Sequence, residues 1–204
     1  MIKTSLLLSL AACAAVSARA DQSFFQFGFF APDLQIIPAT QDVKGLRLDI
    51  VYGQNANVTG LDLGFVNTTS KDFAGVGLGF VNTSDGNATG AKWSWLYSRT
   101  GGEFKGWQTG LFSHIEGNGT GLQGGLVNFS DSNFTGLQYA LYNQSGKTFT
   151  GLQLGFVNNA ENVKGVQLGF VNLAKDMNGL QIGLGNYIES AETLKLLPFV
   201  NWKF

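Results

Sequence analysis

Residues 151–172 read GLQLGFVNNAENVKGVQLGFVN, so one eight-residue phrase occurs twice within 22 residues, with Val166 in the second copy where the first has Leu152. The phrase runs from Gly151 to Asn158 and again from Gly165 to Asn172. Structural units that stack on one another favour repeated sequence, whereas a catalytic site needs different side chains brought together from different secondary-structure elements. The stretch therefore predicts a repeat architecture.

The phrase can be followed along most of the chain as ten copies, spaced 14 to 16 residues apart. Each copy starts at a glycine, and these are Gly45, Gly60, Gly75, Gly90, Gly106, Gly121, Gly136, Gly151, Gly165 and Gly179. Asparagine is the rule seven residues later, and Asn201 follows Asn186 by a further 15 residues. The predicted structural row is therefore Asn67, Asn82, Asn128, Asn143, Asn158, Asn172, Asn186 and Asn201. We expect a signal peptide at 1–20, an N-terminal cap or first strand at 21–42, the ten-copy β repeat domain at 43–193, and a degenerate eleventh copy and closing strand at 194–204.

Each copy has the pattern of a β-strand followed by a corner or loop. Apolar residues stand at the first, third, fifth and sixth positions after the glycine, as in Leu61, Leu63, Phe65 and Val66, and the second position is often Gln. Alternation of this kind is typical of strands. A helix is disfavoured because two glycines in each copy would cost about 1 kcal/mol apiece and no 3.6-residue stripe forms.

An all-β solenoid with about one coil per 15 residues is the favoured architecture. Equivalent residues would then stack in parallel ladders about 4.8 Å apart, with glycine corners of unusual φ. Stacked Asn side chains could hydrogen-bond along the axis, which would explain why Asn recurs at one phase. The apolar positions would fill a narrow interior.

The alternative is an antiparallel outer-membrane β-barrel of about 12 strands, with a pore or transport function. The chain ends on an aromatic residue in Trp202-Lys203-Phe204, as outer-membrane barrels do. Loops of an antiparallel barrel would face two compartments, so successive copies should alternate. No alternation is present, because Asp42, Asn57 and Asp72 hold the same phase in successive loops. The sequence therefore favours the solenoid.

The N-terminus is typical of an export signal. Lys3 supplies the positive charge, residues 6–16 the apolar stretch and residues 18–20 a small-x-small cleavage site before Asp21. Alternatively, residues 10–13 resemble a bacterial lipobox, in which Cys13 would be lipidated. No later run approaches the ~20 apolar residues of a membrane-spanning helix. The prediction is export to the cell envelope, outer membrane or cell surface of a Gram-negative-type bacterium.

Composition argues against nucleic-acid binding and gives no sign of an enzyme. The net charge is −1, and no basic run attracts a polyanion. His114 is the only histidine, and Cys13 in the signal is the only cysteine. A transition-metal site or a nucleophilic triad would lack the further His or Cys side chains that it needs. We therefore expect no catalytic residue, no metal and no cofactor.

The middle of the chain departs from the repeat by replacing aliphatic residues with large aromatic ones. Trp93, Trp95, Tyr97 and Trp107 stand in two neighbouring copies. Exposed Trp and Tyr side chains can bind sugar rings or protein partners. The competing interpretation is that these side chains fill a wider part of the core or lie at an interface with lipid.

GLDLGFVN, GVGLGFVN, GLQLGFVN, GVQLGFVN and GLQIGLGN resemble the units of the bacterial surface-repeat proteins, which are exported envelope proteins with GLQLGLVN-like repeats. The resemblance covers residues 43–204, including the first repeat and the closing segment LPFVNWKF. The family carries no established biochemical activity, so the resemblance implies location and architecture alone. We expect a non-enzymatic envelope scaffold that displays polar loops to an unidentified protein or glycan.

Overall fold

The computed structural model describes residues 22–204. The predicted signal peptide, its cleavage site before Asp21 and the possible lipidation site Cys13 lie outside the described residues. The described chain forms one sheet of eleven strands. These are β1 (Gln22–Phe30), β2 (Leu34–Gln35), β3 (Asp42–Asn55), β4 (Val58–Thr69), β5 (Phe73–Ser84), β6 (Ala88–Thr100), β7 (Phe104–Ile115), β8 (Gly119–Ser130), β9 (Phe134–Leu168), β10 (Val171–Ile188) and β11 (Leu196–Lys203).

The repeat copies stack as parallel coils about 15 residues apart, which confirms the predicted β-solenoid, and the stack has about nine turns. Neighbouring copies pair in register, so Gly60 pairs with Gly75, Leu61 with Val76 and Asn67 with Asn82. β9 and β10 each run through corners into a further coil and pair in parallel with each other. The antiparallel barrel is therefore wrong, because an antiparallel sheet cannot bring identical positions of successive copies into parallel register.

The two ends of the stack differ from the coils. β1 pairs in parallel with β3 and extends the stack by one strand, while β2 folds back antiparallel on β1. β11 runs antiparallel to β10. Asn201 consequently lies opposite Gln181 and does not continue the asparagine row beyond Asn186, although it was predicted as that row's last member. The segment 194–204 closes the sheet as a reversed strand and not as an eleventh coil.

The ten repeat glycines mark equivalent corners. All ten have positive φ, between +116° and +153°. At Gly121, an added Cβ would lie 2.0 Å from the carbonyl oxygen of Gly106 in the preceding coil. Because a side chain would need both this rare conformation and this occupied space, glycine is required at the corner.

The interior differs from the prediction, because the apolar phrase positions point outward. Phe65 is 53% exposed and Leu61 is 39% exposed, whereas Gln123, Gln138 and Gln153 at the second position are fully buried. Alternation lets either the odd or the even positions face inward, and the pattern alone does not say which. The apolar part of the core comes from other rows, two residues before and nine after each glycine; its largest members are Phe104, Phe134, Phe149, Ile115 and Ile188.

Candidate functional site

The largest surface feature is a band of exposed apolar side chains along the whole stack, which we call the apolar face. It comprises the first, third, fifth and sixth positions of the ten copies. Every copy has a large apolar residue exposed at the fifth position. These residues are Ile50, Phe65, Phe80, Trp95, Leu111, Leu126, Leu141, Phe156, Phe170 and Leu184, with exposed fractions between 38% and 72%.

The ends of the sheet continue the apolar face. Phe25 and Phe27 of β1 pair beside Leu46 and Leu48, and both phenylalanines are 40% exposed. At the other end, Trp202 of β11 lies opposite Leu180 and is 58% exposed. The face therefore extends without interruption across β1, the ten repeat copies and β11.

No charged side chain points outward from the first to the sixth positions of the ten copies. Four charged residues occur in these segments, and all are buried: Arg47, Asp49, Asp62 and Lys92. A groove of about 890 Å³ runs along part of the face, between Leu63 and Leu78 on one side and Phe65 and Phe80 on the other. Monomeric soluble proteins rarely expose an apolar patch larger than a few hundred Å², so a surface of this extent indicates an interaction site.

The predicted tryptophan patch lies within the apolar face. Trp95 is 72% exposed, and the rings of Trp93 and Trp107 contact each other at a centroid distance of 5.6 Å. Tyr97 is half-buried beside Val81 in the sixth-position row, because β6 carries a bulge between Trp93 and Tyr97. None of the three tryptophans enters the interior, so the interpretation that they widen the core does not fit the structure.

Most of the asparagine row forms a buried amide ladder. Asn143 Nδ2 donates to Asn158 Oδ1 at 2.9 Å, and Asn158 Nδ2 donates to Asn172 Oδ1 at 2.9 Å. Equivalent bonds join Asn67 to Asn82, Asn128 to Asn143 and Asn172 to Asn186. The ladder is interrupted at Ser98 and Ser113, which occupy this row in the two tryptophan-bearing coils. These residues hold the coils together and are not available to a ligand.

A second ladder, of glutamines, runs beside the first one. Gln138, Gln153, Gln167 and Gln181 each donate through Nε2 to the Gln Oε1 of the preceding coil, at 2.7 to 2.8 Å. The asparagines donate in the opposite direction along the axis. A buried amide is tolerated when its hydrogen-bonding groups find partners, and in-register stacking supplies them. The recurrence of Gln at one phase was the sequence signal for this ladder.

The first coils replace these glutamines with a buried ion cluster. Arg47 makes a bidentate pair with Asp62, in which Nε and Nη2 each donate at 2.7 Å, and Nη1 donates to the carbonyl oxygen of Thr68 at 2.8 Å. Asp49 lies 3.4 Å from Arg47 Nε. Burial raises the pKa of Asp49 to about 6, against the lowering effect of Arg47. Arg47 is the cation that pairs with both carboxylates, and Asp49 Oδ1 also accepts from Gln26 Nε2 at 3.5 Å.

Lys92 is a second buried cation, three coils after Arg47. Its Nζ donates to Ser84 Oγ at 3.0 Å, to Thr100 Oγ1 at 3.1 Å and to the carbonyl oxygen of Arg99. Burial lowers the pKa of Lys92 to about 7. The folded state therefore binds fewer protons than the unfolded state between about pH 7 and pH 10.5, so this residue makes stability rise with pH in that range.

Lys92→Gln is expected to stabilise the protein at pH 7 by roughly 2 kcal/mol, because it removes a buried cation and inserts the amide used at this position by later coils. The rise in stability between pH 7 and pH 10 should largely disappear. Urea unfolding of wild type and variant at both pH values measures this. Lys105→Gln, at an exposed position one coil away, is the matched control. It should change neither the stability at pH 7 nor the rise in stability between pH 7 and pH 10. A Lys92→Gln variant less stable than wild type at pH 7 would contradict the account.

The remaining polar and ionisable side chains do not come together in a catalytic or metal-binding site. His114 Nε2 lies 2.9 Å from Asp131 Oδ2 on the surface, outside the apolar face. Within residues 22–204, no three His, Cys, Asp or Glu side chains are grouped so that they could hold a metal ion. That same part of the chain has no helix with the length and hydropathy needed to cross a membrane.

Comparison of the chain with protein-family models, with curated proteins and with solved structures finds no match.

Proposed function

We propose that the protein is a non-enzymatic scaffold of the bacterial cell envelope, exported through its N-terminal signal, whose solenoid displays short polar loops to a protein or glycan. The repetition of one loop per coil carries the proposal. Each coil presents its loop at the same phase, so the loops form a row along one side of a rigid stack.

The loops are tied to one another by side chains, which supports a display role. Asn57 Nδ2 donates to Asp42 Oδ1 at 2.8 Å, and the backbone N–H groups of Asn87 and Glu103 donate to Asp72 Oδ1 and Asn87 Oδ1 at 2.7 and 2.8 Å. Backbone donors held by the preceding coil fix the loop conformations. A partner could bind such a row without the loss of conformational entropy that ordering a flexible loop would require.

Cell fractionation tests the proposal. The full chain, with an epitope inserted between Asp131 and Ser132, is expressed in a Gram-negative host. We expect the chain in the envelope fraction with residues 1–20 removed or Cys13 lipidated, and we expect the epitope to be reached by antibody on whole or osmotically opened cells. A matched chain without residues 2–20 should stay in the cytosol. Finding the full chain in the cytosol alongside this control would reject the proposal.

A further inference from the structure

We propose that the apolar face is a lipid-binding surface, which enters the interfacial region of a bilayer while the loops remain in water. The inference rests on the proposed function only in placing the chain where a membrane is present. Its physical basis is the shape, the charge distribution and the aromatic content of the face.

The shape of the face favours a fluid partner. The fifth-position residues, such as Phe65 and Phe80, fall outside the ladder register, which breaks between Leu63 and Val66 in one coil and between Leu78 and Val81 in the next. The chain turns there, because residues five and six after the glycine both point outward. The face is therefore a convex ridge about 50 Å long, at about 4.8 Å per strand. A rigid second copy would touch mainly the crest of this ridge, whereas lipid can surround both sides.

The backbone under the ridge is suited to lipid. On either side of the crest, its N–H and C=O groups bond along the stack to neighbouring coils, so the sides of the ridge present side chains and not open strand edges. Unpaired backbone groups are what lipid contact penalises most. The groove along the ridge between the rows of Leu63 and Phe65 is lined by apolar residues and glycines, with Asp49 as its one charged lining residue, and it runs along the axis, as a linear acyl chain would require.

Charge is distributed as an anionic lipid surface would require. From Asp42 to Glu189, every outward-pointing carboxylate stands three residues before or ten after a repeat glycine, on the loop side. The row that borders the face, one residue before each glycine, contains exposed Lys44, Lys105 and Lys164 and no acidic residue. Basic residues beside an apolar surface strengthen its attraction to anionic headgroups.

All four tryptophans of the chain lie on the apolar face. Trp107, Trp93 and Trp95 occupy the first, third and fifth positions of their coils, and Trp202 lies at the end of the first-position row. Tryptophan is enriched where proteins meet the membrane interface, since its ring is apolar and its indole N–H is polar. The tryptophan patch is, on this account, part of the lipid-binding surface.

The test uses the purified full chain and vesicles of phosphatidylcholine and phosphatidylglycerol in a 3:1 ratio. We expect the chain to cosediment with the vesicles, and we expect brominated acyl chains to quench its tryptophan fluorescence. The second measurement reports on the face itself, because no tryptophan lies elsewhere, including in residues 1–21. Vesicles without phosphatidylglycerol should bind more weakly.

The decisive variant is Phe156→Asp with Phe170→Asp, at adjacent ridge positions that are 52% and 51% exposed. It should lower vesicle partition roughly a hundredfold, since it removes two large apolar side chains from the interface. The matched control is Asn133→Asp with Thr148→Asp, which adds the same charge in adjacent loops on the other side and should change partition by less than twofold.

Because Phe156 and Phe170 stack on each other, Leu126→Asp with Leu141→Asp provides a second ridge variant without a ring stack, and circular dichroism checks the fold of each variant. Absence of wild-type binding, or ridge variants that are folded and bind as wild type does, would overturn the proposal. A third result would also overturn it: the wild type forms a dimer in sedimentation velocity and does not bind vesicles, and the ridge variants are monomers. The apolar face would then be the interface with a second copy of the chain. A chain that is exported but ignores vesicles rejects this inference alone, and one that binds vesicles but stays in the cytosol rejects the proposed function alone.

Discussion

Gly151→Ala is expected to lower the free energy of unfolding by more than about 3 kcal/mol, or to prevent folding. Gly151 has φ of +130°, a conformation that costs an ordinary residue about 1–3 kcal/mol. An added Cβ would also lie 2.1 Å from the carbonyl oxygen of Gly136. That oxygen belongs to the backbone of the preceding coil, so relieving the overlap requires separating two coils of the ladder.

The control for this prediction is Gly185→Ala, near the end of the stack. No heavy atom lies within 4 Å of a Cβ built at Gly185, and its φ is not in the left-handed region. The free energy of unfolding should change by less than about 1 kcal/mol, with a gain from reduced freedom of the unfolded chain. Urea unfolding at pH 7 compares the two variants with wild type. Similar midpoints for Gly151→Ala and Gly185→Ala would show that the corner geometry is not required.

The solenoid was predictable because its signals are repeated ten times. A lone glycine says little, but glycines in phase from Gly45 to Gly179 indicate one equivalent corner per coil, and the structure has positive φ at each. The constant phase of Asp42, Asn57 and Asp72 likewise argued for parallel stacking, and these residues do bond to each other from coil to coil.

The side of the strand that faces inward was not predictable from hydrophobicity. Apolar side chains are normally the buried ones, so Leu and Phe of GLQLGF would be expected to face the interior. In a parallel in-register stack, however, a Gln or Asn within an unbroken row has an identical amide about 4.8 Å above and below it. This arrangement satisfies buried amides that would be costly in any other fold. The result is an amide-lined interior behind an apolar exterior.

The exterior position of the apolar rows changes the meaning of the tryptophan patch. From sequence it was a local departure in two copies, to be explained by a ligand or by a wider core. In the structure, Trp95 is one member of an unbroken exposed row that includes Leu111 and Phe80. At the patch, the side chains of a surface that every coil shares are larger than elsewhere. A binding partner of the patch is therefore expected to contact the whole apolar face.

The second large effect is expected at the buried ion cluster. Arg47→Met should lower the free energy of unfolding at pH 7 by about 3–5 kcal/mol, because it leaves the carboxylates of Asp49 and Asp62 buried without their cation. Arg47 also lowers the pKa of Asp49, so its removal should raise this pKa further above about 6. A folded-state pKa above the unfolded value means that the native state binds more protons, and stability falls as pH rises from about 3.8 through the folded pKa.

The deficit of Arg47→Met relative to wild type should therefore be larger at pH 7 than at pH 5, where Asp49 is protonated in the folded variant. Urea unfolding at the two pH values measures it. The compensated variant Arg47→Gln, Asp49→Asn and Asp62→Gln carries no buried charge in these coils and places amides next to Gln26, as the later coils do. It should recover to within about 1 kcal/mol of wild type at both pH values, since replacing all partners of a buried ionic group costs far less than removing one. If the single variant had the same deficit at pH 5 as at pH 7, the loss would come from packing around Arg47 and not from unpaired carboxylates.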